Sequence, residues 1–289
     1  MRYIEAKTIL SSVKQGPDNI FGLKYNMNLY RGCQHGCIYC DSRSDCYKLG
    51  DLSDIRAKEN ALILLEKELK SKRVRGTIGF GSMNDPYMPD EKEMELTRGA
   101  LKLINRYNYP IHIITKSDLV IRDIDLFKEI SRTYVAISLT ITIADDQLST
   151  QIEPGAPVSS KRFEAIRKLS ENGIHTGIML MPVLPFITDE KENIEYIVTK
   201  GKESGAQYIL AFMGMTLREG QREYFYDQLD KRFPGLREKY TSVFGNDYNC
   251  SAPNHKSLYN AFYASCYKHS IQTQMEFYKP IEPKQLTLF

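Results

Sequence analysis

Cys33, Cys37 and Cys40 fall in one short stretch, NLYRGCQHGCIYCD from Asn28 to Asp41, with the spacing C-x3-C-x2-C. Thiolates are soft ligands that suit an iron-sulfur cluster or zinc. Gly32 and Gly36 allow a loop tight enough to turn three sulfurs toward one centre. Three ligands from one loop leave one iron of a four-iron cluster open, and an open iron is where a small molecule can bind. The pattern therefore points to a reactive centre rather than a staple. Two other accounts use the same residues: a zinc knuckle completed by His35 or Cys46, or cysteines that only pack.

The elements around the loop must place it. An apolar and aromatic run over residues 25–30 reads as a strand that ends where the loop begins. Downstream, residues 59–72 carry Leu62, Leu65 and Leu69 at helical spacing, residues 74–80 are a short apolar run, and a helix from about Glu91 sets Leu96, Ala100 and Ile104 on one face. The alternation continues with strands at 111–115, 134–140, 174–181 and 207–213. Helices fall at 123–131, 159–172 (capped by Gly173) and 190–204. Six strands alternating with helices imply a parallel sheet with right-handed crossovers, whose functional residues lie on loops leaving the carboxyl ends of strands. A closed barrel, an open doubly wound sheet and a six-unit partial barrel all satisfy that pattern, and the count favours six.

With its aromatic Tyr39 in place, C-x3-C-x-aromatic-C after a first strand resembles the signature of the radical S-adenosylmethionine (SAM) superfamily. The flanking residues look like the group related to spore photoproduct lyase. The resemblance runs over about residues 5–215. It implies an α/β partial (β/α)6 TIM-like barrel at 25–215, with an N-terminal extension at 1–24 and a mainly helical C-terminal appendage at 216–289. It also implies a 4Fe-4S cluster on Cys33, Cys37 and Cys40, reductive cleavage of SAM to a 5′-deoxyadenosyl radical, an external electron donor, and DNA or another nucleic acid as substrate. A peptide or metabolite substrate is the alternative within the enzyme class, and a zinc-stabilised binding module without catalysis is the alternative outside it.

In similar proteins the second-strand loop, here Ser82-Met83-Asn84-Asp85, holds the amino group of SAM, so Asn84 and Asp85 are expected cofactor contacts together with Tyr39. Asn84-Asp85-Pro86 also suits a plain turn. Lys116, at the end of the third strand, is expected to pair with the cofactor carboxylate. Ser138, with Thr140 and Thr142 at period two, gives the fourth strand a hydroxyl face that lines the SAM site if it points inward. Glu153 and Arg162 read best as an ion pair holding their loop. Residues 181–185, with two prolines, form a stiff apolar lip for the adenine face. No catalytic residue is assigned, and His35, His112 and His175 have no partner legible in the sequence. Two departures from spore photoproduct lyases matter: Ser82 stands where those enzymes carry a hydrogen-returning cysteine, and Asp41 where they carry a tyrosine. Both argue against literal thymine-dimer reversal.

Composition sets the outer limits. The 289 residues, 42% of them hydrophobic, suffice for a barrel-sized core. Lys and Arg number 39 against 36 acids, so a net charge of +3 announces no nucleic-acid partner by itself. No run approaches a membrane span, the first residues lack a signal-peptide core, and the expected location is the cytoplasm, where six cysteines fit metal binding better than disulfides. Cys46, Cys250 and Cys266 are left without assignment.

In the appendage, Arg222, Tyr224 and Tyr226 interleave basic and aromatic groups as a single-strand binder does. Tyr259, Phe262, Tyr263, Cys266 and Tyr267, at helical spacing, read instead as a stripe packing on a core. The last residues, Gln285-Leu286-Thr287-Leu288-Phe289, resemble the short peptide by which bacterial proteins dock on the DNA sliding clamp, with Leu286, Leu288 and Phe289 as anchors.

Overall fold

The computed structural model describes residues 2–17 and 19–280. The clamp-like residues 285–289 lie outside them. Strands β1 (Arg2–Ile4) and β2 (Leu10–Ser12) lead into β3 (Leu23–Met27), which buries Tyr25 and Met27 on alternate positions. The expected strand over 25–30 is split. Its last residues form β4 (Tyr30–Arg31), which leaves the main sheet and pairs antiparallel with β5 (Arg56–Lys58). The cause is local: the Leu29 carbonyl accepts from the Lys58 amide, which turns the backbone away from the main sheet. The N-terminal extension completes both layers, since β1 pairs with β5 and β2 pairs antiparallel with β3.

Helix α1 (Ala61–Ser71) then buries Leu65 and Leu69, and β6 (Thr77–Phe80) is buried throughout. The helix expected from Glu91 is two, α2 (Glu91–Met94) and α3 (Leu96–Arg106), broken at Glu95 with φ of 49°. Glu91 explains the break. Its fully buried carboxylate accepts from the amides of Thr97 and Arg98 and so caps α3 from across the interruption. The same carboxylate takes the Tyr30 hydroxyl and pairs with Arg122 at 2.8 Å. Arg122 and Arg98 also hold buried Asp123, which accepts from Tyr87 at 2.9 Å. A buried ionic network thus anchors Tyr30, two residues before the cysteine loop begins.

The alternation continues through β7 (Ile111–Thr115), α4 (Ile124–Ile130), β8 (Val135–Thr140), α5 (Asp146–Ile152), α6 (Ser159–Glu171), β9 (His175–Leu180), α7 (Lys191–Glu203) and β10 (Tyr208–Ala211). Strands β3, β6, β7, β8, β9 and β10 lie in chain order, all parallel, with β2 added at the edge. That is the six-unit α/β arrangement expected. Helix α5 is short, is capped by the Asp145 side chain, and was not anticipated.

Beyond β10 come β11 (Gly214–Thr216), α8 (Gln221–Arg232), α9 (Leu236–Phe244), β12 (Asn249–Ser251), which pairs with β11, and α10 (His255–His269). Helix α10 packs on α7 and contributes Leu258, Phe262 and Cys266 to the main core. The expected aromatic stripe is therefore only half right, because Tyr263 and Tyr267 are exposed and Leu258 replaces them on the buried face. Helices α8 and α9 build a second core with Ile38 and Ile152, where Cys250 is also buried. This core lies directly behind the cysteine loop.

Candidate active site

A cavity of about 410 Å³ opens where the parallel strands end, and Cys33, Cys37 and Cys40 line it together. Gly32 makes their approach possible. Its φ is +88°, and a Cβ there would stand 2.8 Å from the Leu52 carbonyl oxygen, so only glycine fits. The loop is then tied down by its surroundings. The Cys33 amide donates to Leu52, the Ile38 amide to Ile152, and Gln221 donates to the Tyr39 carbonyl at 2.9 Å. All three thiols are free. As a donor set, three soft ligands from one rigid loop facing one cavity fit an iron-sulfur cluster with an open iron.

The zinc alternative loses its proposed fourth ligands. His35 has Nδ1 at 3.1 Å from the Gly155 carbonyl oxygen and Nε2 at 3.0 Å from Asp85, so both ring nitrogens face oxygens. Cys46 lies off the cavity with its sulfur 3.4 Å from Arg218. Among the described residues, no group of three His, Cys, Asp or Glu side chains is arranged to hold a single metal ion.

Asp85 lines the cavity and is already heavily engaged. Oδ1 accepts from the Thr115 hydroxyl at 2.6 Å and the Tyr87 amide at 2.8 Å, while Oδ2 accepts from the Lys116 amide at 2.8 Å and faces His35. Three of the roughly four lone-pair sites a carboxylate offers are therefore taken by hydrogen bonds. Burial would raise this carboxyl, yet His35, Thr115 and Lys116 outweigh it and hold it at about 2. Asp85 therefore ties the ends of β6 and β7 to the cysteine loop. His35 joins the turn at Gly155 to the same knot, a role that nothing in the sequence marked. Asn84 is likewise engaged, its amide donating to the Tyr30 carbonyl at 2.5 Å.

Tyr39 and Lys116 line the cavity over a second buried knot. The Tyr39 hydroxyl donates to Glu153, and Glu153 pairs with Arg162 at 2.5 Å with both side chains fully buried. Arg162 also donates to the carbonyls of Pro157 at 2.7 Å and Thr140 at 2.9 Å. Burial would raise the Glu153 carboxyl, but Arg162 and Lys116 hold it down. Burial and Glu153 push the Tyr39 hydroxyl well up, so it remains a neutral donor. Lys116 extends over the Tyr39 ring, its ammonium 5.6 Å from the centroid and 4.0 Å from Glu153. The structure makes Glu153 and Arg162 the ion pair expected, and adds Tyr39 to it.

Ser138 faces inward but does not line the cavity. Its hydroxyl is shared by His112 Nε2 at 2.8 Å and the Tyr208 hydroxyl at 2.7 Å, one layer deeper in the sheet interior. Burial and His175 push His112 down to about 3, so this network is neutral. Thr140, two residues on, is the member of the hydroxyl row that reaches the cavity wall, beside Met181 and Pro182 of the expected apolar lip. Ser82 and Asp41 also line the wall. Ser82 donates to Asn26 at 3.0 Å, and Asp41 accepts from Tyr47 at 2.8 Å.

Comparison with known proteins agrees with this geometry. Spore photoproduct lyase in complex with dinucleoside spore photoproduct has the same fold: TM-score 0.68, 14% identity, covering 92% of this chain and 78% of that one. An uncharacterized protein of Methanocaldococcus jannaschii is 36% identical over 234 residues, which are 80% of this chain and 85% of the relative. One of Mycobacterium tuberculosis is 28% identical over 230 residues, 76% of this chain and 67% of the relative. The family model of the radical SAM superfamily matches residues 27–197. The chain belongs to the radical SAM superfamily and is a radical SAM enzyme.

Proposed function

We propose that the enzyme holds a 4Fe-4S cluster on Cys33, Cys37 and Cys40, cleaves SAM in the cavity beside it, and acts on nucleic acid. The observation that carries this reading is the convergence of all three thiols and the ends of the parallel strands on one cavity. When bound, cluster and SAM supply an electron from an external donor and a 5′-deoxyadenosyl radical able to take a hydrogen atom from substrate. The chain's own residues do the positioning. Lys116 offers an ammonium for the cofactor carboxylate, and the Glu153–Tyr39 hydrogen bond keeps the aromatic beside Cys40 in one orientation. Asn84, Asp85 and the main-chain carbonyls of the loop 81–84 line the cavity as acceptors for the cofactor amino group. Phe21, Met179, Met181, Pro182, Phe212 and Met215 keep the rest of the wall apolar and exclude water from a reactive radical.

Support for a nucleic-acid substrate comes from the side of the cavity formed by Asp41, Ser42, Thr216 and Gln221. The Arg43 guanidinium stacks 3.6 Å from the Tyr224 centroid, and Arg218 lies over Tyr47 and Tyr248 at 5.5 and 5.0 Å. Arginines stacked on tyrosines are the chemistry that grips unpaired bases. Asp41 and Asp45 lie close by, so this surface suits stacking more than charge alone. Arg222 is excluded from it, because its guanidinium is spent on the carbonyls of Leu217, Gly245 and Asp247. Spore photoproduct lyase, whose fold this chain shares, binds dinucleoside spore photoproduct. Ser82 and Asp41 in the wall supply neither a thiol nor a tyrosine, so the reaction proposed here ends differently from that lyase's.

The deciding measurement is 5′-deoxyadenosine formation by anaerobically reconstituted enzyme with reductant and SAM, alone and with intact or UV-irradiated DNA. Turnover that rises at least severalfold with DNA is expected. Cleavage indifferent to every nucleic acid sinks the substrate proposal, and a colourless zinc protein that forms no 5′-deoxyadenosine sinks the cofactor proposal. The tail carries a separate proposal: Gln285, Leu286, Leu288 and Phe289 dock a DNA sliding clamp, which would deliver the enzyme to its substrate. Deleting residues 285–289 is expected to abolish clamp binding in a pull-down while 5′-deoxyadenosine formation persists. Equal clamp binding by the full-length and deleted chains rejects it.

A further inference from the structure

A second cavity, of about 380 Å³, lies between the N-terminal segment 4–8, β4 and β5, and shares Met83 and Asn84 with the wall of the main cavity. Lys7, Arg31 and Lys58 line it, with Glu5 exposed at its rim. Nearby Arg2 and Arg56 are paired with Asp54, but among the described residues no ion pair involves Lys7, Arg31 or Lys58. Arg31 spends one guanidinium nitrogen on the Lys48 carbonyl, and its Nε is buried without a partner. Among the described residues Lys58 donates only to the Asn28 carbonyl at 2.6 Å, and burial together with Arg31 pushes its ammonium down. Asn28 Oδ1 is buried and unpartnered as well.

Two partly buried cations held side by side, with no carboxylate paired to either among the described residues, repel each other, and buried donors without acceptors are costly. The arrangement becomes favourable once an anion enters. A guanidinium fork beside an ammonium suits the tetrahedral oxygens of a phosphate, and the orphaned Asn28 oxygen accepts a hydroxyl or N–H from the group that carries it. We propose that this cavity binds a phosphate of the substrate, namely the phosphodiester flanking the nucleotide that reacts across the Met83–Asn84 wall. The assignment of the phosphate to a nucleic-acid strand rests on the substrate proposed above, whereas the anion site itself does not.

The experiment has two arms, both on the cluster-loaded enzyme. In the first, inorganic pyrophosphate is titrated while the thermal midpoint is followed. It is expected to raise the midpoint of the wild type and not that of Arg31→Gln/Lys58→Gln. In the second, fluorescence anisotropy follows a labelled single-stranded oligonucleotide across a salt series. Each of Arg31→Gln, Lys58→Gln and the exposed Lys7→Gln is expected to weaken binding about tenfold and to flatten the salt slope by about 0.7 per lost phosphate contact. A strand with one neutral methylphosphonate linkage at the flanking position should bind the wild type and Arg31→Gln equally. Lys7 is solvent-exposed, so Lys7→Gln remains informative if the inner variants fold poorly. A midpoint that pyrophosphate does not move in the wild type, with strand binding unchanged in the variants, overturns the site. A midpoint shift lost in the variants while strand binding is unchanged keeps the anion site and overturns the phosphodiester. A wild type that binds no strand yet shows the pyrophosphate shift refutes the nucleic-acid substrate and leaves the anion site standing.

Discussion

Replacing Cys37 by alanine is expected to remove the iron and abolish 5′-deoxyadenosine formation, leaving a folded, colourless protein. The wild type should carry about four irons per chain after anaerobic reconstitution, and Cys37→Ala well below one intact cluster. Cys37 is buried at the turn of a loop held by main-chain hydrogen bonds on both sides, from the Cys33 amide to the Leu52 carbonyl and from the Ile38 amide to the Ile152 carbonyl. None of those bonds uses the thiol. The substitution therefore deletes a ligand and a small buried volume, worth no more than about 1–2 kcal/mol, without releasing the loop. Cys37→Ser sharpens the test, because an alcohol keeps the shape but is a poor ligand for an iron-sulfur centre. Cys266→Ala, in the core of α10, should keep the iron. Iron content and turnover equal to wild type in Cys37→Ala would show that the loop is not the cluster site, however well its spacing fits.

The loop was legible in the sequence because its information is local: three thiols, two glycines and an aromatic at fixed offsets. The parallel strands were legible for a related reason. Strands such as Ile111–Thr115 and Val135–Thr140 are covered on both faces, so they read as near-continuous apolar runs bounded by loops. What the sequence hid is what distant contacts decide. Nothing in residues 91–97 shows that Glu91 would fold back to cap Thr97 and Arg98, and so break one expected helix into two. Ser138 was placed on the right face of its strand but at the wrong depth, since only the register of β8 against β9, and of β9 against β10, sets which hydroxyl meets Tyr208 and which meets the cavity.

His35 and Asp85 show the same limit in the site itself. Each was visible as a residue type, yet their pairing spans the cysteine loop and the end of β6, and that pairing makes Asp85 a brace as well as a residue of the cavity wall. Three hydrogen bonds, from Thr115, Tyr87 and Lys116, and the contact with His35 would have to be released together before Asp85 could move, which makes the brace stiff.

The second large effect concerns the other brace. Glu153→Gln is expected to destabilise the enzyme by about 3–5 kcal/mol, because it leaves the guanidinium of Arg162 buried with no counter-charge. The substitution keeps the shape, and the amide oxygen still accepts from Tyr39, so the loss isolates the charge. Arg162→Met should also destabilise, since it leaves the carboxylate only Lys116, at 4.0 Å, as counter-charge and orphans the carbonyls of Pro157 and Thr140. The double variant should cost less than the sum of the two, by roughly 1–3 kcal/mol, since it removes both charges at once. Denaturant unfolding of the cluster-free proteins measures all three. Function should follow through position: Tyr39 stands between Cys37 and Cys40 in sequence and under Lys116 in space, so a loosened Glu153 lowers both iron retention and coupling of SAM cleavage to substrate. Single variants within about 1 kcal/mol of wild type, or a double variant that loses the full sum, would show that the pair is solvated and that Tyr39 is held by packing alone.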